Sequence, residues 1–396
     1  MLPTESDALR LQQALTLAES AIGVSDPNPR VGCVIAHADG RLLGTGATQQ
    51  AGGAHAEVMA LRDAQASGHD VRGATAWVTL EPCAHHGRTP PCCDALMAAG
   101  IGRVVVAVED PFPQVAGAGI ARLRAAGVVV DMIDGPLAQA AIELNIGFFS
   151  RLLRGRPWVR LKVAASLDGR TALADGRSQW ITGPVARADG HAWRRRAAAV
   201  LTGIGTVSMD DPRLDVRLVA TTLQPLRVVV DSRLRLPPEA RLLAPPGRVL
   251  VATTPDAAPE AARALEALGA EVLPLGGAGR GVDLRALLAE LGRRGVGELQ
   301  VEAGERLNAA LLEADLVDEW LLYLAPLLIG PGRGMAAVNP LAQLGDALRL
   351  QFLECSPCGC DLRIRAREHG RTDFAQHGTG ALRSGGVTTP AGCRDI

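Results

Sequence analysis

A chain of 396 residues exceeds one ordinary core and fits two domains of about 150 to 200 residues each. With 47% hydrophobic and 21% charged residues it has the balance of a globular protein, which excludes general disorder. Its 41 basic and 42 acidic side chains leave a net charge of −1, and 3% aromatics supply few stacking rings. No nucleic acid is therefore expected as partner, and a small molecule suits the balance better.

The start shows no basic flank, apolar core and small-residue cleavage site, and no apolar run approaches membrane-span length. A cytoplasmic protein with no membrane span is expected. In that compartment eight cysteines are thiols or metal ligands rather than disulfides.

Leu11, Ala14, Leu15, Ala18 and Ile22 recur at helical spacing and predict a first helix ending near Gly23. After a loop over 26–30, segments 31–36 and 41–45 around Ala38-Asp39-Gly40 predict a β-hairpin, and 55–66 a helix. Strands at 75–80, 104–108 and 128–133 then alternate with helices at 92–99 and 120–126, a three-layer α/β/α pattern. Arg151, Arg154, Arg156 and Pro157 mark 149–157 as a linker closing a first domain over 1–148.

The second domain, 158–367, starts with a strand at 159–165. It continues through strands near 200 and at 228–231, 249–253, 299–302 and 321–324, with helices at 258–268, 284–293 and 307–316. A hairpin-like end, 348–353 with 361–365, implies a mixed sheet. Residues 368–396, rich in Gly, Thr and Ser without apolar period, read as a disordered tail.

The strongest chemical signal is His55-Ala56-Glu57 followed by Cys83 and, nine positions on, Cys92. One imidazole and two thiolates make three zinc ligands, leaving the fourth tetrahedral position to water as in a catalytic rather than a structural site. Glu57 then serves as proton shuttle between that water and a leaving amine. Residues at i and i+2 do not share a helix face. His55 and Glu57 converge only if the metal sits off the N-terminal mouth of their helix, and the helix opening at Cys92 offers a second such mouth. A structural knot with Cys93 or His86 as fourth ligand would leave Glu57 without a role. Cys33 reads as a buried small hydrophobe, and Cys355, Cys358 and Cys360 as incidental thiols.

The spacing departs from the usual P-C-x-x-C deaminase signature. The run 81–92, Glu-Pro-Cys-Ala-His-His-Gly-Arg-Thr-Pro-Pro-Cys, with Asn28-Pro29 and His55-Ala56-Glu57-Val58 upstream, closely resembles the bifunctional deaminase/reductase family of riboflavin biosynthesis. The resemblance implies a cytidine-deaminase-like first domain in which His55, Cys83 and Cys92 hold Zn2+, Glu57 is the acid/base, and Asn28, His85 and Arg88 line the substrate site. A guanidinium at Arg88 also suits a ribose phosphate.

Lys162-Val163-Ala164-Ala165-Ser166-Leu167-Asp168-Gly169-Arg170, Ser178 to Thr182, Asp210-Asp211-Pro212 and Val301 to Gly304 resemble the same family's reductase, whose fold is similar to dihydrofolate reductase. That resemblance implies NADPH contacts at Ala164, Trp180, Thr206, Asp210, Ser232 and Gly304, and substrate contacts at Ser178, Arg194, Leu214, Arg217 and Glu302. Gly203-Ile204-Gly205 is no Rossmann fingerprint, lacking the third glycine and the acidic partner. Gly304, between a strand and a helix start, is the better phosphate site. Arg194 and Arg217 suit a 5′-phosphate; the other reading of Arg194 is a solvated basic face, Arg194-Arg195-Arg196. Lys162, the single lysine, suits a site needing a compact charge, where its ammonium stabilises an oxyanion beside Glu302. The implied substrate is a phosphoribosyl pyrimidine, and the implied assembly a homo-oligomer built through the reductase domains.

Overall fold

The computed structural model describes residues 4–84, 90–112, 116–276 and 281–374. The first half is laid down as α1 (Glu5–Glu19), β1 (Gly32–Ala36), β2 (Leu42–Ala47), α2 (Ala56–Ala66), β3 (Thr75–Val78), α3 (Cys92–Ala98), β4 (Arg103–Val106), α4 (Ala118–Ala125), β5 (Val129–Met132) and α5 (Pro136–Leu144). The sheet order is β2-β1-β3-β4-β5, with β1 antiparallel to both neighbours and β3, β4 and β5 parallel.

Side chains alternate across a strand, so a sheet covered on both faces needs apolar residues at every position. Ala76, Val78, Val104 and Val106 pack with Ala60, Leu96 and Leu123 of α2, α3 and α4. Trp77 and Val105, between them, pack with Leu11, Leu15 and Ala141 of α1 and α5. The expected three layers are thus explained residue by residue.

Residues 149–157, expected as a linker, are mostly helical: α6 (Ile146–Arg154) buries Ile146 and Phe149 and ends at Gly155 with φ 69°. Gly155 suits a left-handed cap because it carries no Cβ. The arginines of this segment do not mark a solvated hinge. Arg154 and Arg156 both pair with the buried Asp318, at 2.9 and 2.7 Å.

The second half comprises β6 (Trp158–Ser166), β7 (Ala172–Leu173), α7 (Pro184–Arg196), β8 (Ala199–Gly203), α8 (Ile204–Asp210), β9 (Leu226–Val230), β10 (Val249–Thr253), α9 (Pro259–Ala267), β11 (Ala270–Pro274), α10 (Leu284–Arg293), β12 (Glu298–Val301), α11 (Glu305–Glu313), β13 (Glu319–Ala325), β14 (Gly332–Arg333), β15 (Leu350–Cys358) and β16 (Asp361–Glu368). Its nine-stranded sheet runs β11-β10-β9-β8-β12-β6-β13-β16-β15. The strands are parallel from β11 to β13, and antiparallel pairing joins β13, β16 and β15, giving the expected mixed sheet.

The expected tail does not start at 368. Arg371 and Phe374 are buried, and Phe374 packs between Phe149, with its ring tilted, and Trp158, edge to face, with centroids 6.0 and 6.2 Å away. Residues 375–396 lie outside the described residues.

Buried arginine–carboxylate pairs join the two halves. Glu298 at the start of β12 accepts from Arg30 of the first half at 2.5 Å and from Arg160 and Arg196 of the second at 2.8 and 2.9 Å. Arg30 also donates to the carbonyls of Leu144 and Arg196.

Candidate active site

Four side chains converge where two helices begin. His55 is the N-cap of α2 and Glu57 lies in its first turn, while Cys92 is the first residue of α3. Cys83 comes from the strap after β3, and its sulfur accepts from the Cys92 backbone N–H at 3.3 Å. The strap is fixed by Glu81, whose carboxylate accepts from the backbone N–H groups of Asp110, Gly117, Gly119 and Ile120. Gly46 sets the height of α2 over the sheet: a Cβ there would stand 2.2 Å from the Ala56 carbonyl oxygen. Any larger residue would lift the helix end that carries His55 and Glu57.

His55 Nδ1 lies 3.6 Å from Cys83 Sγ and 3.3 Å from Cys92 Sγ. Tetrahedral zinc with Zn–S of about 2.3 Å and Zn–N of about 2.0 Å separates neighbouring S and N ligands by about 3.5 Å, so the trio fits the ion. Among the described residues no other group of three offers such a set. Charge agrees with geometry. A hydrogen bond from Cys92, with others from His55 and the Cys92 backbone, holds the Cys83 thiol down to about 4, while sharing its proton with Cys83 pushes the Cys92 thiol up. Burial and the Cys83 charge push the Glu57 carboxyl up to about 7. Three such groups cannot all ionise in a buried site without a cation between them. Cys93 is not placed as a fourth ligand: it is fully buried in the core with Leu96 and Val104.

His55, Glu57 and Cys83 line a cavity of about 500 Å³ together with Asn28, which the resemblance placed at the substrate site. His85, His86 and Arg88 lie outside the described residues. The cavity also has a wall that the sequence reading missed, Phe148, Arg151 and Leu152 of α6. Their i, i+3, i+4 spacing was the available signal, masked by reading the segment as a linker.

In the second half the chemistry gathers along β12, β6 and β13, which are adjacent strands. Lys162 of β6 is half-buried with its Nζ 5.7 Å from the centroid of the Tyr323 ring on β13. Burial lowers the Lys162 ammonium below its ordinary range, against the pull of Glu302 just past β12. Tyr323 donates to Asp189 at 2.6 Å.

Arg194 differs from both sequence readings. It is neither a free phosphate fork nor a solvated face: its Nε and Nη2 grip Glu302 at 2.6 and 2.8 Å, and Nη1 donates to the Asp215 carbonyl. A carboxylate beside it fills the fork by the bidentate geometry that a phosphate would otherwise use. Arg217 is more open, with its side chain 43% exposed and paired to Asp215 at 2.6 Å. Leu214 is buried, so its side chain packs inward.

Thr206, Ser232 and Gly304 follow the C-terminal ends of β8, β9 and β12, the crevice edge where parallel sheets receive ligands. Gly304 is the N-cap of α11, and a Cβ on it would lie 3.7 Å from Thr206 Oγ1, so these two adjoin. Ser178 donates to Asp210 at 3.0 Å, which brings another expected pair together. Ala164 lies on β6 beside Tyr323, and Trp180 is 66% exposed with the Arg187 guanidinium 4.6 Å from its ring centroid.

Residues 157–364 match the RibD C-terminal domain family, and residues 4–108 the cytidine and deoxycytidylate deaminase zinc-binding region. The riboflavin biosynthesis protein RibD of Escherichia coli is 44% identical over 373 residues, covering 90% of this chain and 98% of that protein. The RibD of Aquifex aeolicus is 39% identical, covering 91% and 98%. Among solved structures, Acinetobacter baumannii RibD superposes with a TM-score of 0.82 at 42% identity, covering 92% of this chain and 99% of that one. The diaminohydroxyphosphoribosylaminopyrimidine deaminase/5-amino-6-(5-phosphoribosylamino)uracil reductase of Thermotoga maritima gives 0.81 at 31% identity, with the same coverage.

Proposed function

Since the chain belongs to the RibD family of riboflavin biosynthesis, we propose which of its residues carry each of that family's two reactions. The protein is a bifunctional enzyme, a zinc-dependent deaminase joined to an NADPH-dependent reductase. Its first half, cytidine-deaminase-like, removes the 2-amino group of 2,5-diamino-6-ribosylamino-4(3H)-pyrimidinone 5′-phosphate as ammonia. Its second, dihydrofolate-reductase-like, reduces the ribosyl group to give 5-amino-6-ribitylamino-uracil 5′-phosphate. The observation that carries the residue assignment is the meeting of His55, Cys83 and Cys92 at ligand distance, with His55, Cys83 and Glu57 facing one cavity of about 500 Å³.

His55, Cys83 and Cys92 hold the zinc, which when bound brings the pKa of a water towards neutrality. Glu57, buried and held near neutrality, takes a proton and returns it to the departing amine. Asn28, with His85 and Arg88, positions the pyrimidine phosphate. In the reductase, NADPH supplies hydride; Gly304, Thr206, Ser232, Asp210, Ala164 and Trp180 form its seat. Lys162 places positive charge where the sugar oxygen becomes anionic, and Glu302, held by Arg194, orients the ribose with Ser178, Leu214 and Arg217 around it. The division into domains over 1–148 and 158–367 is part of the same reading.

Purified protein given the diaminopyrimidinone phosphate releases ammonia without NADPH, and consumes NADPH only after that release. Ammonia release that requires NADPH, or NADPH oxidation with the undeaminated substrate alone, would contradict the assignment.

A cytoplasmic location accords with the free thiols of the seven described cysteines, and among the described residues no helix is long and apolar enough to cross a membrane. The homo-oligomer forms through the reductase half. Strand β15 ends the nine-stranded sheet with Leu350, Phe352 and Leu353 exposed, next to exposed Leu344 and Leu348, and an apolar sheet edge of that kind calls for a covering partner. Light scattering after gel filtration is expected to give at least twice the chain mass, and Phe352→Glu to lower it; a wild-type monomer refutes the interface.

A further inference from the structure

The helix that joins the two halves reaches into the deaminase cavity, and its one arginine there is unlike its neighbours. Arg154 and Arg156 share the carboxylate of Asp318. Arg151, by contrast, has no carboxylate within ion-pair distance among the described residues. Its Nη2 donates to the Pro27 carbonyl at 3.1 Å, one residue before Asn28, while its Nε is buried without a partner. Phe148, three residues earlier on the same helix face, lies under the guanidinium at 5.7 Å and holds it from below. Among the described residues lining the cavity, Arg151 is the only guanidinium or ammonium.

A half-buried guanidinium whose Nε is buried with no acceptor gains most from an anion that can reach it. The acidic residues of the same wall form no ion pair with it: Glu81 is spent on four backbone N–H groups, Asp110 accepts from the Phe112 backbone N–H, and Glu57 sits with the sulfurs. Burial pulls the Arg151 guanidinium below its ordinary range, against the longer-range pull of the Asp26 carboxylate, which forms no ion pair with it. On the substrate, the pyrimidinone, its amino groups and the ribose are neutral, and the phosphate carries all the charge.

We propose that Arg151 is a specificity-determining residue of the deamination step, binding the 5′-phosphate of the incoming substrate from the helix that leads into the reductase. This rests on the deaminase reading above. Its consequence is that the first half does not contain its whole substrate site: part of the phosphate grip is built from the connection between the domains.

The test compares full-length, zinc-loaded wild type with Arg151→Gln and Arg151→Lys in ammonia release. Each receives the diaminopyrimidinone riboside 5′-phosphate and the same riboside without phosphate. Wild type prefers the phosphate in kcat/KM. Losing a charge-assisted contact costs Arg151→Gln about 10- to 100-fold of that preference, through KM, with kcat within about threefold. Arg151→Lys keeps a cation and most of the preference, and zinc content with the unfolding temperature shows that neither variant has collapsed. An undiminished preference in Arg151→Gln overturns the proposal, as does a KM rise of equal size for both substrates. If the wild type shows no preference, the phosphate is not read there and the proposal falls while the deaminase reading stands. A wild type that deaminates neither compound takes both down.

Discussion

Glu57→Gln is expected to lower the rate of ammonia release by about 1,000-fold or more while the chain still binds one zinc and still reduces deaminated substrate with NADPH. The size follows from what the carboxyl does: a positioned proton carrier contributes about 100- to 10,000-fold. Glutamine keeps the shape and the hydrogen bonds of the side chain but cannot carry the proton. Glu57 is 3% exposed, so bulk water has poor access to replace it. The metal should survive the change, because the three ligands come from His55 and from two sulfurs on other segments. Ammonia assay, metal analysis and NADPH oxidation on preformed deaminated substrate separate the three readouts. A variant retaining more than about a tenth of the wild-type rate would show that another group moves the proton, and loss of zinc would show that Glu57 serves the metal instead.

That such a test can be framed from the sequence reflects how compactly the deaminase chemistry is written. His55, Glu57 and Cys92 sit at helix starts and Cys83 in the strap just after β3, where local spacing fixes direction. What sequence alone did not show depends on distance along the chain. Arg30 meets Glu298 across 268 positions, and Arg194 meets Glu302 across 108. No local pattern distinguishes a paired arginine from a solvated one, so the sequence suggests a phosphate fork or a solvated face at Arg194 and a linker over 149–157. Both have one cause: arginine signals a surface by default, whereas here carboxylates just past β12 and next to β13 draw it inside. Phe374 escaped for a similar reason, since one aromatic in a polar stretch shows no period, yet Phe149 and Trp158 are waiting for it.

The same buried pairs make Glu298→Gln the most destabilising single change to expect, with a cost of about 3–5 kcal/mol. Glu298 is 1% exposed and compensates Arg30, Arg160 and Arg196 at once. Glutamine would leave three buried guanidiniums around a neutral group, and two of them, Arg30 and Arg196, also hold the first half against the second through backbone carbonyls. The three guanidiniums overcome the burial that by itself would raise the Glu298 pKa, and keep its carboxyl well below the usual carboxylate range. Such a group stabilises fully above its unfolded value and loses that contribution only as pH falls towards the folded one. Wild type and Glu298→Gln should therefore differ in unfolding temperature by a constant amount between pH 8 and 5, and converge below about pH 4. Glu319→Gln provides the contrast. Its partners Trp158, Arg160, Arg365 and Arg367 all lie in the second half, so it should weaken that half while the deaminase keeps its resistance to protease. Only Glu298→Gln should loosen both. A Glu298→Gln protein within about 1 kcal/mol of wild type, or one that loosens the second half alone, would mean that the halves are held by apolar packing around α6 and not by this carboxylate.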